Sequence, residues 1–490
     1  MDLNRLLARL SRDTLVYGLG IAAQGVGLFL LLPVYTRVLS HEEYGAFALL
    51  LGLLYFGEVL YRAGVHYAFL TLTFHQASEE DRQRLARTTW SLLVIQAAAM
   101  VALLLPLAPQ LSRGLTGDAG HAGAVRLILL YLFFFTPVTT LMCLFRSAGR
   151  PRSVVALNVA QLSTTLALSL WLVAGQRRGV QGAFEGYVLS SILFGLLTAF
   201  RLFREPGFGI DPAPRRELYR LGLSYALVQL LSMVLAYSGR WLLLHFSTLR
   251  EVALYDVAYK VGTVLSYLVA PFSVAWTTGL FDVARSDKPQ ESFAAVFKYL
   301  MAVLAWAGLA LSLFAPEAIL LLGGPTYLEA AKVVPLVVTA FILAGAYSFL
   351  NMGPALKKSS TEMVVATLWG LGTSLAASVL LIPRLGLWGA AIAALASALV
   401  LAIVMLRASQ RCYPVSYPWG AVLRLAVLYL ASTAVGVALA GPTIGSAVWR
   451  ALLLLSFPLQ LRALSVLGTE EFLSLRRLPL ALLARRSEAA

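Results

Sequence analysis

The stretch LWGAAIAALASALVLAIVMLR, from Leu387 to Arg407, contains no charged residue before its last position. A helix needs about 20 predominantly apolar residues to cross the hydrocarbon core of a bilayer, and this stretch has that length. Similar apolar stretches recur along the 490-residue chain, and no polar stretch between them is long enough to fold as a separate domain. The sequence therefore predicts an all-α membrane protein with about fourteen transmembrane helices.

The composition agrees with this prediction. Hydrophobic residues make up 59% of the chain and charged residues 13%, whereas soluble domains are about a quarter charged. In a membrane protein, the net charge of +15 is best explained by the basic loops that set topology, so it does not indicate a nucleic-acid partner. The two cysteines, Cys143 and Cys412, give neither a disulfide framework nor a metal cluster.

The predicted spans follow from the apolar stretches. They are residues 14–36, 44–71, 88–110, 124–146, 154–174, 183–202, 220–246, 254–280, 294–316, 329–353, 361–383, 387–407, 419–440 and 447–466. The apolar run from Thr14 to Tyr35 is too long for a cleaved signal peptide, so we expect it to be retained as the first span.

Most of the 39 Lys and Arg residues fall in the even-numbered connections and the two tails. The bias in Lys and Arg sets the orientation of a membrane protein, with the basic side in the cytoplasm. We therefore expect both termini to be cytoplasmic. The connections with clustered basic residues include Arg82, Arg84 and Arg87; Arg146, Arg150 and Arg152; Arg201, Arg204, Arg215, Arg216 and Arg220; Arg285, Lys288 and Lys298; Lys357 and Lys358; and Arg407 and Arg411.

A weak internal repeat divides the chain. GVQGA at Gly179–Ala183 matches GLWGA at Gly386–Ala390, 207 residues later, and EYGAF at Glu43–Phe47 faces VALYD at Val252–Asp256 with nearly the same offset. Parallel repeats are a known transporter layout, with the binding site between them. The repeat predicts two parallel six-helix lobes followed by two additional helices. The predicted units are a lobe at 1–202, a cytoplasmic linker at 203–219, a lobe at 220–411, two helices in 412–466 and a cytoplasmic tail at 467–490.

Spans 2 and 8 carry charges, which are costly at the centre of a bilayer and therefore face protein or water. Glu58 and Arg62 are four residues apart, as are Asp256 and Lys260, so each pair shares a helix face. Two interpretations remain open: each pair neutralises itself so that its helix can insert, or the faces line a hydrated cavity between the lobes. His66 continues the span 2 face as a polar lining or packing residue.

Arg240 in span 7 has no acidic residue three or four positions away, so its partner must come from another helix, water or a ligand. Because Arg240 lies toward the external end of its span, its side chain could also extend to the interface. Arg and Lys groups favour an anionic ligand, and guanidinium groups fit phosphate oxygens well. The candidate binding residues are therefore Arg62, Lys260, Arg240, Glu58, Asp256 and His66.

Several enzyme classes lack their motifs. The chain has no G-x-x-x-x-G-K-S/T phosphate loop, and HEEYG at His41 is not the H-E-x-x-H of metalloproteases. It has no large external loop to carry a catalytic site. We therefore expect a protein that is not an enzyme and has no cofactor, with proton or sodium coupling left open and Glu58 and Asp256 as candidate carriers.

Four stretches together resemble a known family. LLPVYTRVLSHEEYGAFALL (Leu31–Leu50), VALYDVAYKVGTVLSYLVAPFSVAWTTGLF (Val252–Phe281), LIPRLGLWGAAIAALAS (Leu381–Ser397) and ASQRCYPVSYPW (Ala408–Trp419) are similar to bacterial polysaccharide-transport (Wzx-type) flippases. These proteins form part of the multidrug/oligosaccharidyl-lipid/polysaccharide exporter superfamily. The resemblance covers nearly the whole chain.

The resemblance implies a V-shaped exporter in the bacterial cytoplasmic (inner) membrane that acts in cell-surface polysaccharide or lipopolysaccharide biosynthesis. Its cargo would be a polyprenyl-diphosphate-linked oligosaccharide, and its other partners membrane lipids and possible glycosyltransferases and a polysaccharide polymerase. Lys260 matches the lysine of the family's Y..A.K stretch. Arg240 matches an arginine that aspartate usually precedes, but Gly239 stands at that position here.

The leading hypothesis is thus a flippase that moves a lipid-linked oligosaccharide to the outer leaflet by alternating access through a cationic cavity. A multidrug cation antiporter of the same superfamily is the nearest alternative and would favour acidic or aromatic cavity walls. A membrane scaffold for a glycan-synthesis complex and an integral-membrane glycosyltransferase are further alternatives. The scaffold predicts full function after the cavity charges are neutralised.

Overall fold

A computed structural model describes residues 31–73, 78–284, 288–357, 361–439, 441 and 444–466, and the secondary structure of this part is helical. Residues 31–38 are helical and precede α1. The labelled helices are α1 (His41–Arg62), α2 (Val65–Thr73), α3 (Glu79–Leu104), α4 (Ala108–Thr116), α5 (Ala122–Ser147), α6 (Pro151–Leu170), α7 (Gly179–Arg204), α8 (Pro212–Phe246), α9 (Leu249–Ala284), α10 (Pro289–Leu313), α11 (Ala315–Leu322), α12 (Val334–Leu350), α13 (Met352–Leu356), α14 (Thr361–Leu385), α15 (Leu387–Cys412), α16 (Trp419–Ala438) and α17 (Ile444–Ala463). Short 3₁₀ segments cover Ala119–His121 and Pro325–Lys332, and a π-helical turn at Trp171–Gly175 ends α6.

Twelve helical segments in the described part of the chain are long and apolar enough to cross a membrane. They correspond in order to predicted spans 2–13. Most of predicted span 1 lies outside the described residues, as does the tail at 467–490. Predicted span 14 corresponds to α17, a 20-residue helix that is not among the twelve. The all-helical membrane architecture expected from the sequence is confirmed.

The second predicted span, residues 44–71, is not one continuous helix. It ends as α1 and restarts as α2, because Ala63 and Gly64 both have left-handed backbone conformations, with φ of 44° and 71°. The Ala63 amide donates to the carbonyls of Leu60 and Val59, which closes the end of α1. A side chain at Gly64 would collide with the carbonyl of Gly222 in α8. The break therefore lets α2 pack closely on α8.

The predicted linker, residues 203–219, is largely helical. Helix α7 continues to Arg204 and α8 begins at Pro212, so only residues 205–211 connect them. This connector is tied to α3, because the Asp211 carboxylate binds Arg87 at 2.8 Å and the Asp211 amide donates to Thr88. Proline at the first turn suits the start of α8, since its missing N–H would be unpaired there.

The contacts between helices show which of them lie next to one another. Helix α5 packs against α7 and α3, while α15 packs against α14 and α12. Helix α1 packs on α9 and α8 as well as on α5, so it lies where the two halves of the chain meet. The appended helices α16 and α17 pack against α10. The division into two parallel lobes with the predicted boundaries stays a prediction.

Candidate functional site

Asp256 lies at the centre of a buried ionic cluster in the middle of the described helices. One carboxylate oxygen, Oδ1, accepts from Arg240 Nε at 2.8 Å and forms an ion pair with Arg240 Nη2 at the same distance. The other, Oδ2, accepts from the Tyr44 hydroxyl at 2.8 Å and contacts Lys260 Nζ at 2.8 Å. Each oxygen of an ionised carboxylate can accept about two hydrogen bonds, so all the acceptor sites of Asp256 are occupied.

Arg240 is held by protein acceptors through all three of its nitrogens. Besides Asp256, its Nη1 donates to the carbonyl of Ala236 at 3.0 Å. Its guanidinium carbon lies 4.3 Å from the ring centroid of Tyr259 and 5.0 Å from that of Tyr237. The side chain is only 5% exposed. Extension to the membrane interface, one interpretation of its position in the sequence, is therefore wrong: Arg240 is an internal ion-pair partner.

Lys260 is the most accessible charged group of this cluster, with 26% of its side chain exposed. Its ammonium group donates to the Tyr44 hydroxyl at 2.5 Å and to Asp256. An ammonium group has three N–H bonds, so these two contacts leave one without a partner among the described residues. The two cations and one carboxylate give the cluster a net charge of +1.

A cavity of about 160 Å³ adjoins this cluster and is lined by Arg240, Asp256 and Lys260. The residues that complete its wall are mainly aromatic or aliphatic. The tyrosines are Tyr35, Tyr55, Tyr187, Tyr237, Tyr259 and Tyr267. Tyrosine rings combine apolar faces with a polar edge, so this cavity can contact both the flat faces and the hydroxyl groups of a polar molecule.

The predicted partners Glu58 and Arg62 do pair, with Arg62 Nη2 3.3 Å from Glu58 Oε1. They lie at the end of α1 beside the helix break, and they are not among the residues lining the 160 Å³ cavity. Arg62 Nε donates to the Tyr61 hydroxyl at 3.1 Å. The Arg62 Nη2 and His66 Nδ1 atoms are buried without a hydrogen-bond partner in the described part of the chain. The six predicted residues therefore form two clusters, not one.

Tyr44 is the residue of the central cluster that sequence reasoning missed. Its hydroxyl comes from α1, whereas Asp256 and Lys260 come from α9. Tyr44 lies in EYGAF, which the internal repeat had already placed opposite VALYD with Asp256. That alignment relates equivalent positions and does not predict contact between them, and a tyrosine in an apolar helix does not stand out from packing residues.

A second buried ionic contact, also missed, anchors the last helix. Arg450 of α17 is 1% exposed and binds Glu317 with both terminal nitrogens, at 3.0 Å and 2.5 Å. Its Nη1 also donates to the Leu313 carbonyl at 2.7 Å, near the end of α10. Partial burial opposes ionisation of Glu317, but the hydrogen bonds and charge of Arg450 outweigh it and lower the pKa of this carboxyl.

Among the described residues, no group of three or more His, Cys, Asp or Glu side chains could hold a metal ion. The central cluster is instead an arrangement for recognising charge. Both oxygens of its acid contact protein donors, and its lysine has one N–H that no described residue occupies, beside an open volume.

Comparison with solved structures shows a known fold. The lipid II flippase MurJ in an inward closed conformation has a TM-score of 0.74 and 11% identity, with 90% of this chain and 98% of that chain covered. An inward-facing multidrug resistance MATE family transporter of the MOP superfamily has a TM-score of 0.69 and 17% identity, with 83% and 97% covered. An outward-facing MATE family transporter gives 0.58 and 17%, with 84% and 96% covered.

A comparison with curated protein sequences gave no significant match. The polysaccharide biosynthesis protein family matches residues 10–277, which is more than half of the chain and includes all six predicted site residues. Together with its helical spans and its fold, this match identifies the chain as a multi-pass membrane protein that belongs to the polysaccharide biosynthesis protein family.

Proposed function

We propose that this protein is a flippase that moves a polyprenyl-diphosphate-linked oligosaccharide from the inner to the outer leaflet of the bacterial cytoplasmic membrane. The observation that carries the proposal is Lys260, a partly exposed cation beside a cavity between α1, α8 and α9, with one N–H that no residue in the described part of the chain accepts. The flippase fold and the polysaccharide biosynthesis family both favour a cargo of this class.

In this proposal Lys260 binds the diphosphate. A diphosphate offers several charged oxygens, and charge-assisted hydrogen bonds are shorter and stronger than neutral ones. The net charge of +1 in the cluster favours an anion over a cation. The tyrosines of the cavity wall contact the sugar that follows the diphosphate, while the polyprenyl chain stays in the lipid.

The role of Arg240 differs from the one that the sequence suggested. All three of its nitrogens contact Asp256 or Ala236 and its side chain is only 5% exposed, so its main part is to hold the carboxylate that positions Lys260. Gly239 precedes Arg240 here, and the carboxylate that pairs with Arg240 is that of Asp256 in α9.

The Glu58–Arg62 cluster serves as an earlier contact for the headgroup on the cytoplasmic side. Arg62 Nη2 is buried and lies 3.3 Å from Glu58 Oε1, but it makes no hydrogen bond within the described residues, and a buried donor without a hydrogen bond is costly. A phosphate oxygen would satisfy it. Of the two candidate carboxylates for proton coupling, Glu58 is favoured, because Asp256 is fully occupied whereas Glu58 has one long ion pair.

The proposed orientation places both termini in the cytoplasm, following the basic connections. Outward movement of an anion against an inside-negative potential is then downhill by about 2.3 kcal/mol per charge per 100 mV. The membrane potential could thus drive the cargo without a bound nucleotide.

The proposal is tested in cells by replacing Arg62 and Lys260 with Ala and following lipid-linked sugar at the outer surface. We expect the Lys260→Ala variant to lose most of this signal at a normal protein level, and the Arg62→Ala variant to reduce it. Unchanged surface sugar in both variants would contradict the cavity assignment, and would favour a scaffold for glycosyltransferases and a polysaccharide polymerase.

A multidrug cation antiporter is the second candidate, favoured by the MATE-like fold and the tyrosine-rich cavity. Aromatic faces attract cations, so the cavity wall alone does not exclude them. The two functions separate on expression in a drug-sensitive host. Resistance to cationic drugs conferred by the parent protein would support the antiporter.

A further inference from the structure

The C-terminal end of α11 is capped by side chains from the other half of the chain. The last carbonyls of a helix have no partner within it, and this end carries a partial negative charge. The Leu322 carbonyl accepts from Thr36 Oγ1 at 2.6 Å, and the Leu321 carbonyl accepts from Arg37 Nη2 at 3.2 Å. The two donors lie 286 and 284 residues before their acceptors.

The adjoining 3₁₀ segment, Pro325–Lys332, makes the next contacts with the same region. The imidazole ring of His41 stacks on Tyr327 with a centroid distance of 4.4 Å, and its Nε2 lies 3.2 Å from the Thr326 carbonyl oxygen. Tyr44 meets the edge of the same Tyr327 ring at 6.0 Å. We define Thr36, Arg37, His41 and Tyr44 as the external latch, because the predicted topology places this end of α1 outside.

Helix α11 is fixed from its opposite side. Arg450 of α17 binds Glu317 in the first turn of α11 and also the carbonyl of Leu313, at the end of α10. The buried guanidinium therefore ties α10, α11 and α17 together. The latch residues thus contact a segment that is held in place, so opening this end must break the contacts of the latch itself.

The latch is connected to the proposed cargo site through one hydroxyl group. Tyr44 donates to Asp256 and accepts from Lys260, so it joins α1 to α9 next to the cavity. A diphosphate that binds the remaining N–H of Lys260 draws the ammonium group away from this hydroxyl. The charged acceptor makes the stronger hydrogen bond with an ammonium group, so it favours release of Tyr44.

We propose that anionic cargo opens the external latch by displacing the Tyr44 hydroxyl from Lys260. This inference rests on the proposed function and adds the event that opens the external side of the protein. An effector shifts a conformational equilibrium only through contacts that differ between the two states. Here the Tyr44–Lys260 bond belongs to the closed state and the diphosphate–Lys260 bond replaces it in the open one. Of the two appended helices, α17 contributes by fixing the position of α11.

The experiment measures the distance between the two halves at their external turns. Cys143 and Cys412 are replaced with Ala, and spin labels are placed at Gln176 and Arg384, exposed residues in the turns that the repeat aligns. Electron–electron double resonance is recorded in nanodiscs with a polyprenyl diphosphate, and with the neutral polyprenol as control. The variants are Tyr44→Phe, Arg37→Gln and, as a matched exposed arginine, Arg113→Gln.

We expect the diphosphate to increase the long-distance population of the unsubstituted latch severalfold and the polyprenol to leave it unchanged. Tyr44→Phe and Arg37→Gln should show the long-distance population without lipid, while Arg113→Gln behaves like the parent. Unchanged distances in both latch variants would overturn the latch, and so would no response of the parent to the diphosphate. Failure of the proposed function would appear separately, as no flipping of lipid-linked sugar by the parent protein.

Discussion

Arg240 in α8 and Asp256 in α9 meet through two nitrogens on one oxygen, with both Nε and Nη2 of the guanidinium 2.8 Å from Oδ1. Both side chains are 5% exposed. Because the other carboxylate oxygen carries Tyr44 and Lys260, this single acid organises donors from α1, α8 and α9. The buried carboxylate of Asp256 therefore links three helices, α1, α8 and α9.

Removal of that charge should destabilise the protein strongly. Asp256→Asn leaves Arg240 buried without a counter-charge, and breaking a buried pair in this way costs about 3–5 kcal/mol. Equilibrium unfolding in mixed micelles measures the loss. The double variant Arg240→Met with Asp256→Asn should recover part of it, since no buried guanidinium remains unpaired. A single variant as stable as the parent would show that the pair is not buried in the working protein.

The Arg450–Glu317 contact should respond unequally to removal of its two partners. Arg450 is buried, whereas 46% of the Glu317 side chain is exposed. Glu317→Leu strands the guanidinium in the core and should cost several kcal/mol, on the order expected for a buried unpaired charge. Arg450→Met leaves a carboxylate that water can reach, so it should cost less. Unfolding free energies in the reverse order would contradict this account of the Arg450–Glu317 contact.

The same contact predicts a dependence on pH. Arg450 lowers the pKa of Glu317 in the folded protein, while an unfolded glutamate has a pKa of about 4.3. The Arg450–Glu317 contact therefore stabilises the folded protein fully above about pH 4.3. This stabilisation is lost as the pH falls through the lowered pKa. Unfolding of the parent and of Glu317→Gln between pH 7 and pH 3 tests this. Parallel pH profiles of the two proteins would show that the Arg450–Glu317 contact does not make the protein sensitive to acid.

The close approach of α1 to α9 depends on Gly45. A side chain at Gly45 would collide with the Leu249 carbonyl oxygen, a backbone atom that cannot rotate away. Gly45→Ala should destabilise the protein by about 1–3 kcal/mol, as overpacking does. Gly372 in α14 has no atom near its added side chain, so Gly372→Ala is the matched control and should be neutral or slightly stabilising. Equal effects of the two substitutions would contradict the tight α1–α9 contact.

The membrane potential should accelerate outward movement of the cargo. At 100 mV, inside negative, each negative charge gains about 2.3 kcal/mol on leaving the cytoplasmic side. Proteoliposomes with a potassium-diffusion potential should therefore move a polyprenyl-diphosphate-linked sugar toward the positive side in excess over the opposite polarity. Independence of both sign and size of the potential would indicate that the charge is neutralised in transit, for example by a proton on Glu58.

Much of the fold follows from the sequence for a simple physical reason. Lipid requires every backbone polar group to be satisfied internally, so a long apolar stretch such as Leu387–Arg407 has to be a helix. The break at Ala63 and Gly64 was not predicted, because Ala63 adopts a left-handed conformation that its residue type does not suggest. The break occurs where Gly64 lies close to Gly222, a residue far away in sequence.

The site was predictable only where partners share a helix. The spacing of four identified Glu58 with Arg62 and Asp256 with Lys260, and both pairs form. The partner of Arg240 could not be read off, because Asp256 belongs to the next helix and only packing brings them together. Arg450 escaped notice for the same reason, since its acid lies 133 residues earlier.

The central claim is that Lys260 carries anionic cargo through the membrane, and purified protein in proteoliposomes tests it most directly. The rate of flipping of a fluorescent polyprenyl-diphosphate-linked disaccharide is measured for the parent, Lys260→Met and the exposed control Lys332→Met. We expect a loss of at least tenfold for Lys260→Met, because the N–H that no described residue occupies is lost, and a parental rate for Lys332→Met. Equal rates for all three proteins, with Lys260→Met correctly folded, would contradict the account.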